Sequence, residues 1–198
     1  MKFVKLCIFF LYLVKLNLVG GKMKATGIVR RIDELGRIVI PKELRRTFRI
    51  KEGTPLEIFI GEQGELILKK FSPIIELNDI AKEIAESIYK TLNCGVLIFD
   101  SDKYLVGYGS NAKPYIDKEI SFQLEKVVMQ RQSVIKNSVD LIKLSDFDNE
   151  THSQLISPIV LNGDVVGGIL LISKTIEFTQ NDIKIVKTMV NFIEKQIS

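Results

Sequence analysis

Apolar and polar residues alternate along the first third of the chain, which predicts β-strands in this region. The β-rich runs lie at residues 26–32, 37–40, 56–60 and 65–70. The turn-forming stretch DELG at 33–36 lies between the first two runs, and GEQG at 61–64 lies between the last two. Because glycine tolerates the positive φ angles of tight turns, we expect two hairpins.

A short basic helix is predicted between the second and third strands. Pro41 ends the second strand and can open a helix, because the N–H that proline lacks has no partner in the first turn. Leu44 and Phe48 would lie one turn apart on the buried side of a helix over residues 41–48. The exposed face would carry four cations, Lys42, Arg45, Arg46 and Arg49.

Helical periods and continuous apolar runs alternate in the rest of the chain, which predicts an α+β fold. Asn162-Gly163 is a strong two-residue hairpin signal, and Thr179 with Asp182 is close to a helix capping box. The predicted elements are a helix at 74–92, strands at 95–100 and 104–110, a helix at 115–131, short strands at 134–139 and 141–144, a hairpin at 152–173 and a helix from Thr179 onwards.

The last helix is predicted to be apolar on two sides. One stripe would pack on the sheet of its own domain, while Ile185, Met189 and Phe192 form a second stripe. A helix with two apolar sides needs two partners, so we expect copies to associate as a bundle through the first and last helices of this region. The residues assigned to this contact are Leu77, Ile84, Ile88, Ile183, Val186, Val190, Ile193 and Ile197.

Charge divides the chain of 198 residues into a basic and an acidic part. Residues 23–70 hold eleven Lys or Arg against seven Asp or Glu, whereas residues 71–198 hold thirteen against seventeen. Such a split suggests two domains that meet different partners. We expect a basic domain at 23–72 and an acidic domain at 73–198.

Few residues could support catalysis or metal binding. Cys7 and Cys94 are the only cysteines and His152 is the only histidine, which disfavours a disulfide framework, a histidine-based triad and a His-rich metal site. The sequence has no Walker A, GxGxxG, HExxH or GxSxG motif. We therefore expect no enzyme activity, no cofactor and no metal. Cys94 is expected to be a buried small hydrophobe, His152 a hydrogen-bonded strand residue and residues 145–150 a solvated loop, while Gly167-Gly168 fits a bulge, a pocket wall or close packing.

Residues 1–22 have a basic start and an apolar run from Leu6 to Val14 that is too short to cross a bilayer. They fit a secretory signal in part, but a convincing small-residue cleavage site does not follow Val14. Gly20-Gly21 can be encoded by a purine-rich ribosome-binding sequence just before Met23. We expect these residues to be a mis-assigned leader, with a genuine signal or anchor as the alternative.

The density of arginine in the first β-rich region points to nucleic acid. Seven Lys or Arg fall between Arg30 and Arg49, interrupted only by Asp33, Glu34 and Glu43. A region of about fifty residues buries too small a fraction of its surface to be stable on its own, so we expect a symmetric dimer to complete its core. The dimer would display the basic side chains twice, as two half-sites of a DNA duplex require. From the charge pattern, Lys42 and Arg31 are candidate DNA contacts.

The segment TGIVRRIDELGRIVIPKELRRTFRIKEGTPLEIF closely resembles the AbrB-type DNA-binding domain. The resemblance covers residues 23–72 and implies a swapped-hairpin dimer whose strands interlace between subunits. It also implies DNA contacts by Arg30, Arg37, Arg45 and Arg46. From the residues alone, Arg45 and Arg46 could instead be solvent-facing helix charges, and Arg30 could pair with Asp33 or Glu34.

The order of elements after residue 73 resembles a GAF-type sensory domain. With segments such as KKFSPIIELNDIAKE, QRQSVI and SPIVLNGDVVGG, the whole chain from Met23 is similar to sporulation regulators that pair an AbrB-type domain with a GAF-like one. This resemblance implies a tetrameric, cytoplasmic, nucleoid-associated regulator of late forespore genes that represses or activates transcription. It leaves open an unknown small-molecule ligand of the GAF-like domain.

Two other classes of function share features with this sequence. Related swapped-hairpin domains also serve antitoxins that regulate their own operons, so an antitoxin-like DNA-binding protein is the alternative. Antitoxins usually end in a disordered tail, whereas residues 73–198 are apolar and periodic, as in a folded domain. A small-molecule-sensing enzyme is disfavoured because the sequence offers no nucleophile–base pair.

Overall fold

The computed structural model describes residues 26–138, 140–145 and 153–197. The predictions about residues 1–22, Cys7 and His152 lie outside the described residues, as does most of the loop predicted at 145–150. The chain forms two compact units, one that ends at Phe48 and one that begins at Arg49. The domain boundary predicted between residues 72 and 73 differs from this division and stays a prediction. Across the described ranges, no helix has the length and apolar character needed to cross a membrane.

The described residues of the first unit form a tight turn and a short helix. The N–H of Asp33 donates to the carbonyl of Arg37 at 3.1 Å, and the N–H of Gly36 donates to the carbonyl of Asp33 at 2.9 Å. Gly36 has a φ of 75°, which a residue without a Cβ adopts freely. The predicted turn at residues 33–36 is therefore confirmed. Helix α1 spans Lys42–Thr47 and directly follows Pro41.

The first two predicted strands are wrong for the single chain, because residues 26–32 and 37–40 belong to no strand of the described structure. A hairpin of two short runs is marginal in water without a further strand or a packing layer. The aliphatic side chains of both runs are left in solvent, with Val29 84% and Val39 71% exposed. Their apolar pattern therefore lacks a partner within the described part of one chain.

The second unit begins with the second predicted hairpin, which is confirmed. Strands β1 (Leu56–Ile60) and β2 (Leu66–Lys70) pair antiparallel, with Leu56 opposite Lys70 and Ile60 opposite Leu66. The turn between them is closed by the N–H of Gly64, which donates to the carbonyl of Gly61 at 3.0 Å.

The remainder of the second unit is a five-stranded antiparallel sheet with helices on one face and a shorter helix with loops on the other. The sheet order is β4-β3-β7-β6-β5. The elements are α2 (Pro73–Glu76), α3 (Asn78–Leu92), β3 (Gly95–Asp100), β4 (Tyr104–Tyr108), a 3₁₀ turn (Lys113–Tyr115), α4 (Phe122–Val128), β5 (Val134–Lys136), β6 (Ser153–Leu161), β7 (Asp164–Ser173) and α5 (Gln180–Ile197).

Both faces of the sheet are buried, so the core has two layers. Helices α3 and α5 cover one face, where Ile88 and Val186 pack against sheet residues such as Ile98. Helix α4 and the adjoining loops cover the other face around Phe99 and Tyr104. The hydroxyl of Tyr104 donates to the carbonyl of Leu144 at 2.7 Å, which satisfies a polar atom inside an apolar layer.

Helix α5 begins where its sequence predicts. The Thr179 N–H and hydroxyl both donate to Oδ2 of Asp182, each at 2.7 Å. This contact is the N3-to-Ncap half of a capping box, and it satisfies an N–H at the helix start.

The single helix predicted over residues 115–131 is wrong. The chain instead forms the 3₁₀ turn and then helix α4, which starts only at Phe122. Asp117 has a φ of 64°, which is incompatible with a continuing right-handed helix. Ser121 supplies a new N-cap, because its Oγ accepts the N–H of Leu124 at 3.0 Å.

The short strands predicted beside this helix are only partly formed. Strand β5 ends at Lys136, and residues 141–144 form no strand. Ile142 bonds to a side chain instead of a strand: its N–H donates to Oε1 of Gln154 at 3.1 Å, and its carbonyl accepts Nε2 of Gln154 at 2.7 Å. A buried glutamine thus replaces the backbone ladder that the apolar pattern predicted.

Most residues assigned to association between copies lie in the core of the chain itself. Ile84, Ile88, Ile183, Val186, Val190 and Ile193 are buried, and Leu77 and Ile197 are half-buried. They face their own sheet because α3 and α5 lie together on it. Association through these helices stays a prediction, and its contacts would come from the second stripe, in which Phe192 is 47% exposed.

Candidate nucleic-acid interface

Helix α1 presents a basic face. Lys42, Arg45 and Arg46 are exposed, whereas Leu44 is half-buried. Residues three or four positions apart share one side of a helix, so the three cations point in similar directions. Within the described part of the chain, no carboxylate forms an ion pair with any of them. The positive charge of α1 is therefore not neutralised by the chain's own described residues.

Arg37 is held at the turn by Asp33. The carboxylate of Asp33 accepts the backbone N–H of Arg37 at 2.8 Å and the N–H of Leu35 at 3.0 Å. Its other oxygen is 2.8 Å from Nε of Arg37. The Arg37 backbone N–H and then its guanidinium lower the pKa of Asp33, so the carboxylate stays charged at neutral pH. Arg37 is positioned by this contact while 70% of its side chain remains exposed.

Arg30 and Arg31 lie in the segment that precedes the turn, and both are exposed. Nη1 of Arg30 donates to the carbonyl of Val29 at 3.2 Å, a local contact that leaves the side chain in solvent. The alternative pairing of Arg30 with Asp33 is not formed in the described residues, because Asp33 binds Arg37.

The basic side chains are interspersed with exposed apolar ones. Large aliphatic side chains with at least half of their surface in solvent include Val29, Ile32, Leu35, Ile38 and Val39. A monomeric soluble protein rarely exposes so many contiguous large aliphatic residues, and such patches mark an interface. The described residues of the first unit thus combine exposed cations with exposed apolar side chains.

Sequence reasoning missed a second group of cations. It placed Arg49 on the exposed face of α1, which is wrong: the helix ends at Thr47, and Arg49 has a left-handed φ of 50°. Nη2 of Arg49 is 2.8 Å from Oε2 of Glu119. Lys51 pairs with Glu125, and Nζ of Lys70 is 2.6 Å from Oδ1 of Asp102. No local pattern could have revealed these pairs, because their partners are far apart in sequence.

A groove of about 580 Å³ lies beside these ion pairs. Its walls include Thr54 and Phe71, Met129 at the end of helix α4, and Leu161 and Val165 of strands β6 and β7. Cavities of this size are typical of small-molecule sites, and four of its charged lining residues form two ion pairs, Lys51 with Glu125 and Lys70 with Asp102.

The other candidates have structural explanations. Cys94 is buried, and burial together with the nearby charge of Asp182 raises its pKa to about 12, so its thiol is unreactive. A Cβ at Gly167 would lie 2.1 Å from the carbonyl oxygen of Phe99, so this glycine serves close packing. Among the described residues, no group of three or more His, Cys, Asp or Glu could hold a metal ion.

Two family models match the sequence. The model described as stage V sporulation protein T C-terminal, transcription factor, matches residues 76–198. The model described as antidote-toxin recognition MazE, bacterial antitoxin, matches residues 29–75. The two matches follow one another without overlap, and the first covers more than half of the chain.

Proteins of Bacillus subtilis (strain 168) are similar to the chain. Stage V sporulation protein T is 48% identical over 176 residues, which are 88% of this chain and 99% of that protein. Transition state regulatory protein AbrB is 59% identical over 51 residues, which are 26% of this chain and 52% of AbrB. The first similarity therefore extends over both parts of the chain, and the second is confined to a short region.

Several solved structures resemble part of the chain in fold. A type II free methionine-R-sulfoxide reductase from Thermoplasma acidophilum has a TM-score of 0.51 at 13% identity, with 63% of this chain and 94% of that chain covered. A GAF domain/HD domain protein from Geobacter sulfurreducens has a TM-score of 0.49 at 17% identity, with 61% and 91% covered. The expected AbrB-type region agrees with the 59% identity to AbrB, and the second part of the chain has the mixed helix and sheet fold of the methionine-R-sulfoxide reductase. The chain belongs to the family of stage V sporulation protein T, a family of transcription factors.

Proposed function

We propose that this protein binds double-stranded DNA through cations of an interlaced dimer and thereby regulates transcription during sporulation. The observation that carries the proposal is the exposed basic surface of the first unit, whose members are Arg30, Arg31, Arg37, Lys42, Arg45 and Arg46. Lys and Arg neutralise backbone phosphates, and the guanidinium fork also fits the edge of guanine.

The six cations have different expected roles. Arg45 and Arg46 on α1, and Arg37 at the turn, have fixed backbones, so they suit defined contacts to bases or phosphates. Arg30 completes this set by resemblance to AbrB-type domains. Lys42 and Arg31 contribute to the electrostatic attraction, and the ammonium of Lys42 acts as a point charge without a preferred bidentate partner.

A dimer accounts for the exposed aliphatic residues around the arginines. In an interlaced pair, strands from one copy supply the hydrogen-bonding neighbours that residues 26–32 and 37–40 lack in the single chain. Val29, Val39 and Ile60 would then lie in a shared core. Two-fold symmetry repeats the basic face, which suits two half-sites on one duplex.

The similarity to stage V sporulation protein T supports a role in sporulation. In the proposed role, the protein represses or activates late genes in the forespore, where it is cytoplasmic and associated with the nucleoid. A tetramer would form from two N-terminal dimers joined through the C-terminal helices. The proposal includes no catalytic activity, and it leaves the GAF-like fold free to bind a small molecule.

An antitoxin-like function is the competing hypothesis, and the match of residues 29–75 to an antitoxin model favours it. Residues 76–198, however, match a transcription factor and fold around a five-stranded sheet. A toxin-wrapping tail is disordered before it binds, so a folded GAF-like unit does not provide one. The regulator is therefore the better-supported function.

The proposal is tested by titrating salt in a binding assay with a labelled A·T-rich duplex of roughly three helical turns. Compared with the unmodified protein, Arg45→Ala and Arg46→Ala should each weaken specific binding by about 1–3 kcal/mol if a base contact is lost, or reduce the salt slope by about one if a phosphate contact is lost. Lys187→Ala, an exposed lysine on α5, is the charge-matched control and should change neither. Equal affinity and slope in all four proteins would refute the assignment.

A further inference from the structure

Three cations of one short region are bound by carboxylates of the GAF-like fold. We call residues 49–55 together with Lys70 the stem. Nη2 of Arg49 is 2.8 Å from Oε2 of Glu119, Lys51 pairs with Glu125, and Nζ of Lys70 lies 2.6 and 2.8 Å from the two oxygens of Asp102. In all three pairs the cation belongs to the stem and the carboxylate lies beyond residue 100. Each pair therefore attracts the stem to the GAF-like fold.

The stem has a defined conformation. The N–H of Lys51 donates to Oγ1 of Thr54 at 2.9 Å, and the N–H of Phe71 donates to the carbonyl of Pro55 at 3.0 Å. Arg49 has a positive φ, an uncommon conformation for a residue with a long side chain. Such a conformation persists only where surrounding contacts hold it. The guanidinium provides them, because its Nη1 also donates to the carbonyl of Ile120 at 3.3 Å.

The carboxylates are equally well positioned. Asp102 lies in the β3–β4 turn, where its N–H and that of Lys103 donate to Oδ1 of Asp100 at 2.8 and 2.9 Å. Only 17% of the Lys70 side chain and 33% of the Asp102 side chain are exposed, which makes this pair the least screened by solvent. The other two pairs are more exposed and individually weak.

Charge rather than apolar burial holds the stem. Residues 51–53 and Pro55 are exposed, and an open groove of about 580 Å³ lies between the stem and residues such as Met129 and Val165. The stem can therefore separate from the GAF-like fold without opening a hydrophobic core. Contacts of this kind are the ones that a conformational switch uses.

We propose that the three ion pairs form an electrostatic clamp through which the GAF-like fold sets the affinity of the basic surface for DNA. The inference rests on the proposed function and names its regulation. The stem directly follows α1 in the chain, so a closed clamp restricts the conformations of the segment that carries the DNA-binding residues. A restricted segment loses less conformational entropy on binding, so an open clamp lowers DNA affinity.

The direction of this effect separates the clamp from simple electrostatics. Replacing Asp102, Glu119 and Glu125 by their amides removes three negative charges, which by itself strengthens attraction to DNA. The clamp predicts weaker binding instead. A matched control, Asp79→Asn with Glu83→Gln and Asp117→Asn, removes the same charge from carboxylates that form none of the three stem pairs.

The experiment uses the full chain and the labelled A·T-rich duplex at one fixed ionic strength, with hydrogen exchange of residues 49–55 measured in DNA-free protein. For the clamp variant we expect roughly 3- to 30-fold weaker binding, from three pairs of surface strength, and faster exchange in the stem. The control variant should bind as tightly as the unmodified protein or more tightly, with unchanged exchange. Unweakened binding or unchanged exchange in the clamp variant overturns the proposal.

A charge swap distinguishes the loss of an ion pair from misfolding of the variant. Lys70→Asp alone and Asp102→Lys alone should both open the stem, whereas the double variant restores the attraction and should recover slow exchange and DNA affinity. Failure of the double variant to recover either property counts against the clamp. A further outcome is that hydrogen exchange in the stem changes as expected while Arg45→Ala and Arg46→Ala bind DNA like the unmodified protein. That result confirms the ion-pair contact but refutes the proposed DNA-binding surface, and the regulatory role is refuted with it.

Discussion

Replacing Val39 by aspartate distinguishes an isolated N-terminal unit from an interlaced dimer. Val39 is 71% exposed in the single chain, and substitutions at exposed sites usually change stability by no more than about 0.5 kcal/mol. In a dimer core, each copy would lose about 1.5–3 kcal/mol of valine burial. The two copies together lose about 3–6 kcal/mol, which weakens the dimer roughly 10²- to 10⁴-fold.

Sedimentation equilibrium of the full chain measures this loss. If the protein is a tetramer that uses two kinds of contact, Val39→Asp should leave dimers joined through the C-terminal helices. Phe122→Asp is the control, because Phe122 is 59% exposed in the second unit and an acidic residue is favourable in the first turn of α4. The control should sediment like the unmodified protein.

Thermal unfolding of the second unit separates dissociation from misfolding. The two core layers on the five-stranded sheet do not contain Val39, so their transition should be unchanged in Val39→Asp. A Val39→Asp protein that assembles and melts like the unmodified chain would show that the aliphatic residues of the first unit remain in solvent. The argument for a shared core, and with it the two-fold display of arginines, would then be wrong.

Three further predictions concern single side chains. Phe192→Glu should abolish association through α5 while leaving the fold intact, because Phe192 is exposed; sedimentation of the variant checks this, and an unaltered assembly contradicts it. The thiol of Cys94, with its pKa raised to about 12, should resist iodoacetamide at neutral pH until the protein is denatured, as peptide-resolved mass spectrometry would show; rapid labelling of native protein contradicts the burial argument. The carboxyl of Asp33 should titrate below its usual pKa of 3.8. Its stabilisation of the turn is present above that usual pKa and lost as the pH falls through the lowered one, and an NMR titration with a midpoint at or above 3.8 would contradict the contact with Arg37.

Local sequence signals predicted the elements that depend on local interactions. The turn at 33–36, the β1–β2 hairpin, the Asn162-Gly163 hairpin and the start of α5 each depend on a few neighbouring residues, and all are present. The helix predicted over 115–131 failed because apolar spacing alone does not detect a positive φ at Asp117 or a new cap at Ser121. Periodicity marks a face as apolar but does not say which surface covers it.

That ambiguity explains the outcome for the candidate sites. The stripe with Ile183 and Val190 was assigned to another copy, yet it covers the chain's own sheet. A contact such as Arg49–Glu119, 70 residues apart, requires the fold before it can be recognised. The basic face of α1 was predictable because three cations within one turn share a side through helical geometry alone.

The ion pairs of the stem connect the basic part of the chain with the acidic part. The cations Arg49, Lys51 and Lys70 belong to the basic part, but each is bound by a carboxylate of the acidic part. DNA phosphates would have to displace those carboxylates to reach them, whereas the charges of Arg45 and Arg46 are opposed by no such pair in the described residues. In the proposed function, the cations available to DNA are therefore those of the turn, the preceding segment and α1. The same pairing makes the stem sensitive to anything that changes the charge of the GAF-like surface, and the proposed clamp would act on DNA binding in this way.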